Sequence, residues 1–400
     1  MPMKVLVINS FYKPDVGGGA EVTIESIYRP LAAAGVDVVL LATTGSSERR
    51  TDLIDGIRVV RIPIANIYWH LKPRKAAGLI RAIWHLLDIY NPWMSRHVRE
   101  AIRAEQPDIV VCHNLSGWSI SACVAAIRTG LPTIAVLHDS YMLCRSALMF
   151  RNGQACVQRC VTCRLARLPH RFASNRVNGV VGVSAYMLER FRQEGYFSRA
   201  KARTIRNARA IAEERRSQKK IKSNELTFGY IGTIIPAKGV SWLLDQFIRH
   251  RITNRLLIAG DGDPEYLKHL KQKGGGLNVE FLGYCDSSSF YAKIDVCVVP
   301  SIWPEALGNV AYEACARHMP VIASNRGGLP EIIQDGVNGL LCNPDEPDSL
   351  GLAMRRLLDD ESLYEMLASN ARQSVREMLD PDRVVNAYTT FICEIAANRV

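Results

Sequence analysis

Across its 400 residues the chain has no unbroken run of about eighteen apolar residues, so no membrane-spanning helix is expected. The opening stretch, MPMKVLVINSFY, lacks both the length and the small-residue cleavage chemistry of a secretory leader. It reads as a first buried strand, which predicts a cytoplasmic protein. No internal repeat or low-complexity tract occurs. Neither G-x-G-x-x-G nor an acidic ribose-binding partner follows the first strand, so a NAD-style site is not expected. The eleven cysteines are odd in number and scattered among strand-like and helical segments, which argues for reduced thiols over a disulfide framework. No recognisable nucleic-acid-binding module is found, so no nucleic acid partner is expected.

What is present fits an α/β protein of two, at most three, domains. Hydrophobic residues make up 48% and charged residues 22%, too apolar for a disordered chain. The net charge of +11 is unevenly placed. Met1 to Ala210 holds 29 Lys and Arg against 14 Asp and Glu, or +15, and the remainder 21 against 25, or −4. A basic first half and a mildly acidic second half predict an anionic partner for the first half alone.

Strand-like runs alternate with helical segments from end to end, the pattern of parallel sheets with crossover helices. The spacing predicts strands at Lys4–Ile8, Val36–Leu41, Ile57–Ile62, Ile109–Cys112, Thr133–Leu137 and Gly179–Val183 in the first half. Helices are predicted at Ala20–Ala34, Pro92–Ala104 and Trp118–Thr129. The second half restarts with Leu226–Ile231 and continues through Leu256–Ala259, Val279–Leu282, Ile294–Val299, Val321–Ala323 and Gly339–Leu341. Between the halves, Arg206–Glu225 is charged and polar, the composition of a surface linker. A last helix is predicted at Asp382–Ala397. The domains expected are residues 1–205 and 206–380, with 381–400 as a helix.

The stretch from Pro300 to Glu331 carries the most chemistry. A strand ends, Glu305 falls in a loop, a helix opens at Leu307-Gly308-Asn309, and Glu313 lies inside it. Unpaired amides at a helix opening suit a phosphate. A carboxylate beside a diphosphate would be repelled, so the two glutamates fit hydroxyl groups instead. Phosphate together with many hydroxyls describes a nucleotide sugar.

Glu305 and Glu313, separated by seven residues within a PSxxEaxGxxxxEAxAxxxPVIAsxxGGxxE frame, resemble the E-x7-E signature of the retaining GT4 glycosyltransferases. That family has the GT-B fold, two Rossmann-like domains facing across a cleft, with a C-terminal helix crossing back to the first. Other segments follow in family order. Gly17-Gly18-Gly19, after the first strand, resembles the GG-A-E loop, where Gly18 and Gly19 meet donor phosphates or acceptor. His138 and Asp139 close the strand Thr133–Leu137 where the family places a histidine near the reacting sugar. Asp139 would orient that histidine or act as base toward an acceptor hydroxyl. Gly232 to Gly239 is similar to the G-R-L-x-x-x-K-G segment. Lys238 matches its diphosphate-binding lysine, whereas Thr233 stands in place of the arginine. Arg206 or Arg209 could replace that cation. Gly262, Tyr284 and Cys285 match segments that flank the base. Glu313 would hold ribose hydroxyls and Glu305 sugar hydroxyls, with Lys238 and the amides of Leu307, Gly308 and Asn309 on the diphosphate.

The resemblance implies a retaining glycosyltransferase that uses a nucleoside diphosphate-sugar and needs no obligatory catalytic metal. Its acceptor would be a saccharide or lipid-linked saccharide in cell-surface polysaccharide assembly. A nucleotide-sugar epimerase or hydrolase, or a non-catalytic carbohydrate-binding relative, are the alternatives. Two further features stand apart from the signature. Cys144, Cys156, Cys160 and Cys163, spaced C-x11-C-x3-C-x2-C, could hold a structural zinc or be free thiols. From Ile67 to Arg103 aromatic and basic residues interleave, suited either to an anionic membrane surface at the inner face or to a solvated basic face.

Overall fold

The computed structural model describes residues 3–71, 78–213 and 225–397, and the chain divides into two units. The first comprises everything up to Met149, Val157–Ala208 and everything from Asp380. The second comprises Phe150–Cys156 and Arg209–Leu379.

In chain order the first unit begins β1 (Lys4–Ile8), α1 (Gly19–Ala33), β2 (Asp37–Thr44), β3 (Arg50–Ile54), β4 (Ile57–Pro63), α2 (Gly78–Leu87) and α3 (Pro92–Glu105). β5 (Ile109–Cys112), α4 (Ile120–Arg128) and β6 (Thr133–Leu137) follow. A short hairpin, β7 (Phe150–Arg151) and β8 (Gln154–Ala155), groups with the second unit. The first unit resumes with α5 (Val161–Ala166), α6 (Leu168–Ser174), β9 (Gly179–Gly182), α7 (Ala185–Gln193) and β10 (Lys201–Thr204). Its eight strands are ordered β10-β9-β6-β5-β1-β2-β4-β3. All neighbours pair parallel except the edge pair β3 and β4.

The central strand β1 reads KVLVI, a β-branched and leucine run whose last four residues are buried. Such continuous apolar runs belong to parallel strands covered on both faces. Helix α1 starts where the Glu21 carboxylate turns back to accept from the Gly18 amide at 2.9 Å. Ser184 caps α7 by accepting from the Met187 amide at 3.1 Å.

The second unit contains β11 (Phe228–Ile231), α8 (Val240–Arg249), β12 (Leu256–Ala259), α9 (Pro264–Lys273), β13 (Val279–Gly283), α10 (Ser287–Tyr291), β14 (Val296–Val299), α11 (Asn309–Cys315), β15 (Val321–Ser324), β16 (Gly339–Cys342), α12 (Ser349–Asp359) and α13 (Glu361–Ser374). Its six strands form a wholly parallel sheet, β13-β12-β11-β14-β15-β16.

The final helix α14 (Pro381–Ala397) packs on α1. Its Tyr388, Phe391, Ile392 and Ile395 share one core with Ile24, Tyr28 and Leu31 of α1. Each such side chain, fully buried, contributes about 1.5–3 kcal/mol. The boundary between the units falls at Ala208/Arg209, a few residues beyond that expected. Ala208 joins the first core, while the Arg209 amide donates to the Met378 carbonyl of the second unit. Most of the expected linker, residues 214–224, lies outside the described residues, as do Lys72, Arg74 and Lys75 of the aromatic and basic stretch.

Candidate active site

In a parallel sheet every loop after a strand emerges at the same edge, so the motif loops of each unit gather along the carboxyl ends of its strands. In the second unit the loops after β11 and β14 are drawn together by backbone contact. The amides of Ile302 and Trp303 donate to the Ala237 carbonyl at 2.9 and 3.2 Å. Gly239, at φ 74°, makes this approach feasible, because a Cβ there would lie 1.8 Å from the Pro300 carbonyl oxygen.

Lys238 and Glu305 meet across this junction, the Lys238 Nζ donating to Glu305 Oε1 at 2.6 Å. The same oxygen accepts from Ser301 Oγ at 2.5 Å and Trp303 Nε1 at 3.2 Å. The ammonium also lies over the Trp303 ring, 5.3 Å from its centroid. The Glu305 backbone is held in turn: its carbonyl accepts from the Gly328 amide at 2.8 Å, and it bridges to Gly327. Leu307 and Gly308 then lead into α11, where Asn309 is the first residue and Gly308 the cap.

Glu313, buried on α11, pairs with the Arg209 guanidinium. Arg317, one turn later, donates to the Glu313 carbonyl at 2.9 Å and lies over the Tyr291 ring. Burial pushes the Glu313 carboxyl up, opposed by Arg209 and Arg317. Of the two arginines considered as substitutes for the missing cation, Arg209 therefore has a definite acidic partner. Thr233 itself is exposed. Gly262 bridges to Ile234, Tyr284 is exposed and Cys285 half-buried.

In the first unit Gly18 and Gly19 are exposed at the entry to α1. Asn9 Nδ2 donates to Glu21 Oε1 at 3.3 Å beside them. His138 and Asp139 follow β6. A chain of three groups ends on His138: the Tyr28 hydroxyl lies 2.8 Å from His113 Nε2, and His113 Nδ1 lies 2.8 Å from His138 Nε2. Tyr28 is buried and its hydroxyl needs an acceptor, which assigns it as donor to His113. His113 then donates from Nδ1, and His138 carries its own proton on Nδ1. Burial holds His138 down at about 4 and His113 well below the usual histidine range, so both rings are neutral near pH 7. Burial raises Asp139 to about 6, opposed by the Tyr141 amide and Arg167.

Cys144 and Cys163 approach to 3.8 Å between sulfurs. Among the described residues no three His, Cys, Asp or Glu side chains are placed to hold a metal ion. Local hydroxyls also engage the thiols: Cys144 bonds Ser146 at 3.3 Å and Cys160 bonds Thr162 at 3.1 Å.

Ser301, Trp303, Arg317, His113 and Tyr28 were not singled out from sequence. Only Arg317 had a local signal, its position four residues after Glu313 on one helical face.

The chain matches the family model described as Glycosyl transferases group 1 over residues 211–374. Residues 18–208 match the model described as Glycosyl transferase 4-like domain. The chain belongs to the GT4-type glycosyltransferases. It is 28% identical over 333 residues to a Klebsiella pneumoniae protein described as an uncharacterized 42.6 kDa protein in the cps region, covering 82% of this chain and 87% of that one. It is 27% identical over 189 residues to the capsular polysaccharide biosynthesis glycosyltransferase CapM of Staphylococcus aureus, covering 44% and 49%. Among solved structures, Anabaena HepE in complex with UDP-glucose aligns with a TM-score of 0.72 and 22% identity over 98% of this chain and 100% of that one. The fold of this glycosyltransferase is GT-B.

Proposed function

We propose that this glycosyltransferase is a retaining enzyme that transfers a sugar from a nucleoside diphosphate-sugar to a hydroxyl of a saccharide or lipid-linked saccharide in cell-surface polysaccharide assembly. The observation that carries this assignment is the Lys238–Glu305 contact of 2.6 Å beside the opening of α11. It sets a cation for phosphate next to a carboxylate whose second oxygen can accept from a sugar hydroxyl. Binding of UDP-glucose by HepE and the capsular role in the CapM name support the donor and acceptor classes.

In this scheme Lys238 and the amides of Leu307, Gly308 and Asn309 stabilise the departing diphosphate. Glu305 and Glu313 orient the hydroxyls of sugar and ribose. Arg209, already beside Glu313, supplies a second positive charge where Thr233 supplies none. His138 presents an Nδ1–H donor, and Asp139 takes the proton of the acceptor hydroxyl.

The test is a thermal-shift screen of nucleotides and nucleotide sugars, followed by product analysis with saccharide acceptors. The true donor raises the midpoint through binding linkage, and the product keeps the anomeric configuration of the donor sugar. Donor turnover without any acceptor would reassign the chain as a hydrolase or epimerase, and no midpoint shift with any nucleotide would remove the donor assignment.

A further inference from the structure

Large apolar side chains are exposed unevenly over this molecule. Leu79 and Leu86 of α2, with Val161, Leu165 and Phe172 of α5 and α6, are each between 64% and 73% exposed. Leu79, Ile83 and Leu86 recur at helical spacing along one side of α2, while Trp84 is buried on the other. Val161 and Leu165 are four apart on α5, as Leu168 and Phe172 are on α6. Cys163, Arg167 and His170 are the buried residues between them. These are amphipathic segments whose apolar side is left exposed among the described residues.

Their charge is equally one-sided. No acidic residue occurs in α2, α5 or α6. Arg81, Arg164, Arg171 and Arg176 are exposed. Beside Leu165 and Leu168 lies a depression of about 490 Å³, walled by Arg164, Arg171 and Arg192. Its one carboxylate, Glu194, is already paired with Arg159 at 2.8 Å and Arg190 at 3.3 Å.

A buried link fixes the two segments to one another. The Tyr141 hydroxyl, between them in sequence, donates to Asp88 Oδ2 at 2.8 Å, directly after α2. The Arg167 guanidinium, at the start of α6, lies over the Tyr141 ring at 4.4 Å and meets His170 at 2.9 Å. His85, on α2, feels the charges of Arg145 and Arg167.

We infer that α2, α5 and α6 form one docking face for an anionic bilayer, the leucines and Phe172 entering the acyl boundary and the arginines meeting lipid phosphates. Apolar area and arginines without an acidic partner among the described residues match such a surface on both counts. Neither a neutral bilayer nor an acidic protein alone would use both. The inference is independent of the transfer chemistry, because binding is read without any sugar.

The experiment is co-sedimentation of the full chain with vesicles of phosphatidylcholine alone or mixed with phosphatidylglycerol, at low and high salt. Binding to the anionic vesicles is expected, with weak binding to the neutral ones and a loss at high salt. Arg164→Gln with Arg171→Gln should weaken binding about fivefold per arginine, and Leu79→Ser with Phe172→Ser should weaken it at least tenfold. All four side chains are exposed, and an unchanged melting midpoint would show that the variants fold. Equal binding to both vesicle types, no binding, or full binding by the folded variants would overturn the inference. A dimer in lipid-free solution that dissociates on the leucine and phenylalanine substitutions would overturn it in favour of a second copy of this chain.

Discussion

The ammonium of Lys238 and the carboxylate of Glu305 are 2.6 Å apart, although 67 residues separate them in the chain. Ser301 and Trp303 hold the same carboxylate oxygen, so the lysine can move toward a phosphate without leaving that oxygen bare. Lys238→Ala should therefore lower kcat by about 10²–10³-fold, the usual cost of removing one electrostatic stabiliser from a transition state. Steady-state rates with the true donor check it, with an unchanged melting midpoint as control.

The Arg209–Glu313 pair is more buried on its acidic side. Arg209→Ala leaves a buried carboxylate with Arg317 as its remaining cation and should cost about 3 kcal/mol. Removing the arginine raises the Glu313 pKa further above its unfolded value. The deficit is therefore largest at neutral and high pH, and shrinks as falling pH protonates the carboxyl. Adding Glu313→Gln should recover much of the loss. Chemical denaturation of the parent and the two variants at pH 5 and pH 8 measures this.

Gly327, at φ 63°, would place a Cβ 2.1 Å from the Glu305 carbonyl oxygen and 2.5 Å from its amide nitrogen. Gly327→Ala should destabilise the second unit by about 1–3 kcal/mol and weaken donor binding through displacement of Glu305. Calorimetry and donor titration report the two effects separately.

Asp139, raised to about 6, accepts a proton only when ionised. kcat/KM should rise with pH to about 6 and then level, whereas His138, held at about 4, stays neutral over that range. Asp139→Asn should abolish the acid limb with most of the activity. The stability sign is the opposite of the usual carboxylate: folded Asp139 holds its proton to higher pH than unfolded Asp139, so stability falls as pH rises from about 4 to 6. The asparagine variant should gain midpoint over the parent above pH 6.

Much of the donor side was legible because parallel strands end in loops that must face one edge. Glu305, Glu313 and Lys238 could be placed from strand ends together with the resemblance to the E-x7-E and K-G segments. The donors on the Glu305 oxygen could not, since Ser301 and Trp303 are ordinary loop residues whose orientation only the Gly239 approach sets. The Tyr28–His113–His138 chain joins three elements at long range and leaves no local pattern. β3 was missed because its alternation is polar and mostly exposed. α2 lay within a stretch read for its charge and aromatics, and α5 and α6 are too short for a clear helical period. Spacing grouped the four cysteines, and Cys144 and Cys163 do approach to 3.8 Å between sulfurs.

Helix α14 gives the first unit part of its core, although more than 170 residues of the other unit are made between Ala208 and Asp380. During synthesis, the groove over α1 must wait for Phe391 and Ile392 to leave the ribosome, while the intervening unit is free to fold first. A released chain truncated after Leu379 would carry every residue of the second unit but leave the apolar groove over α1 open.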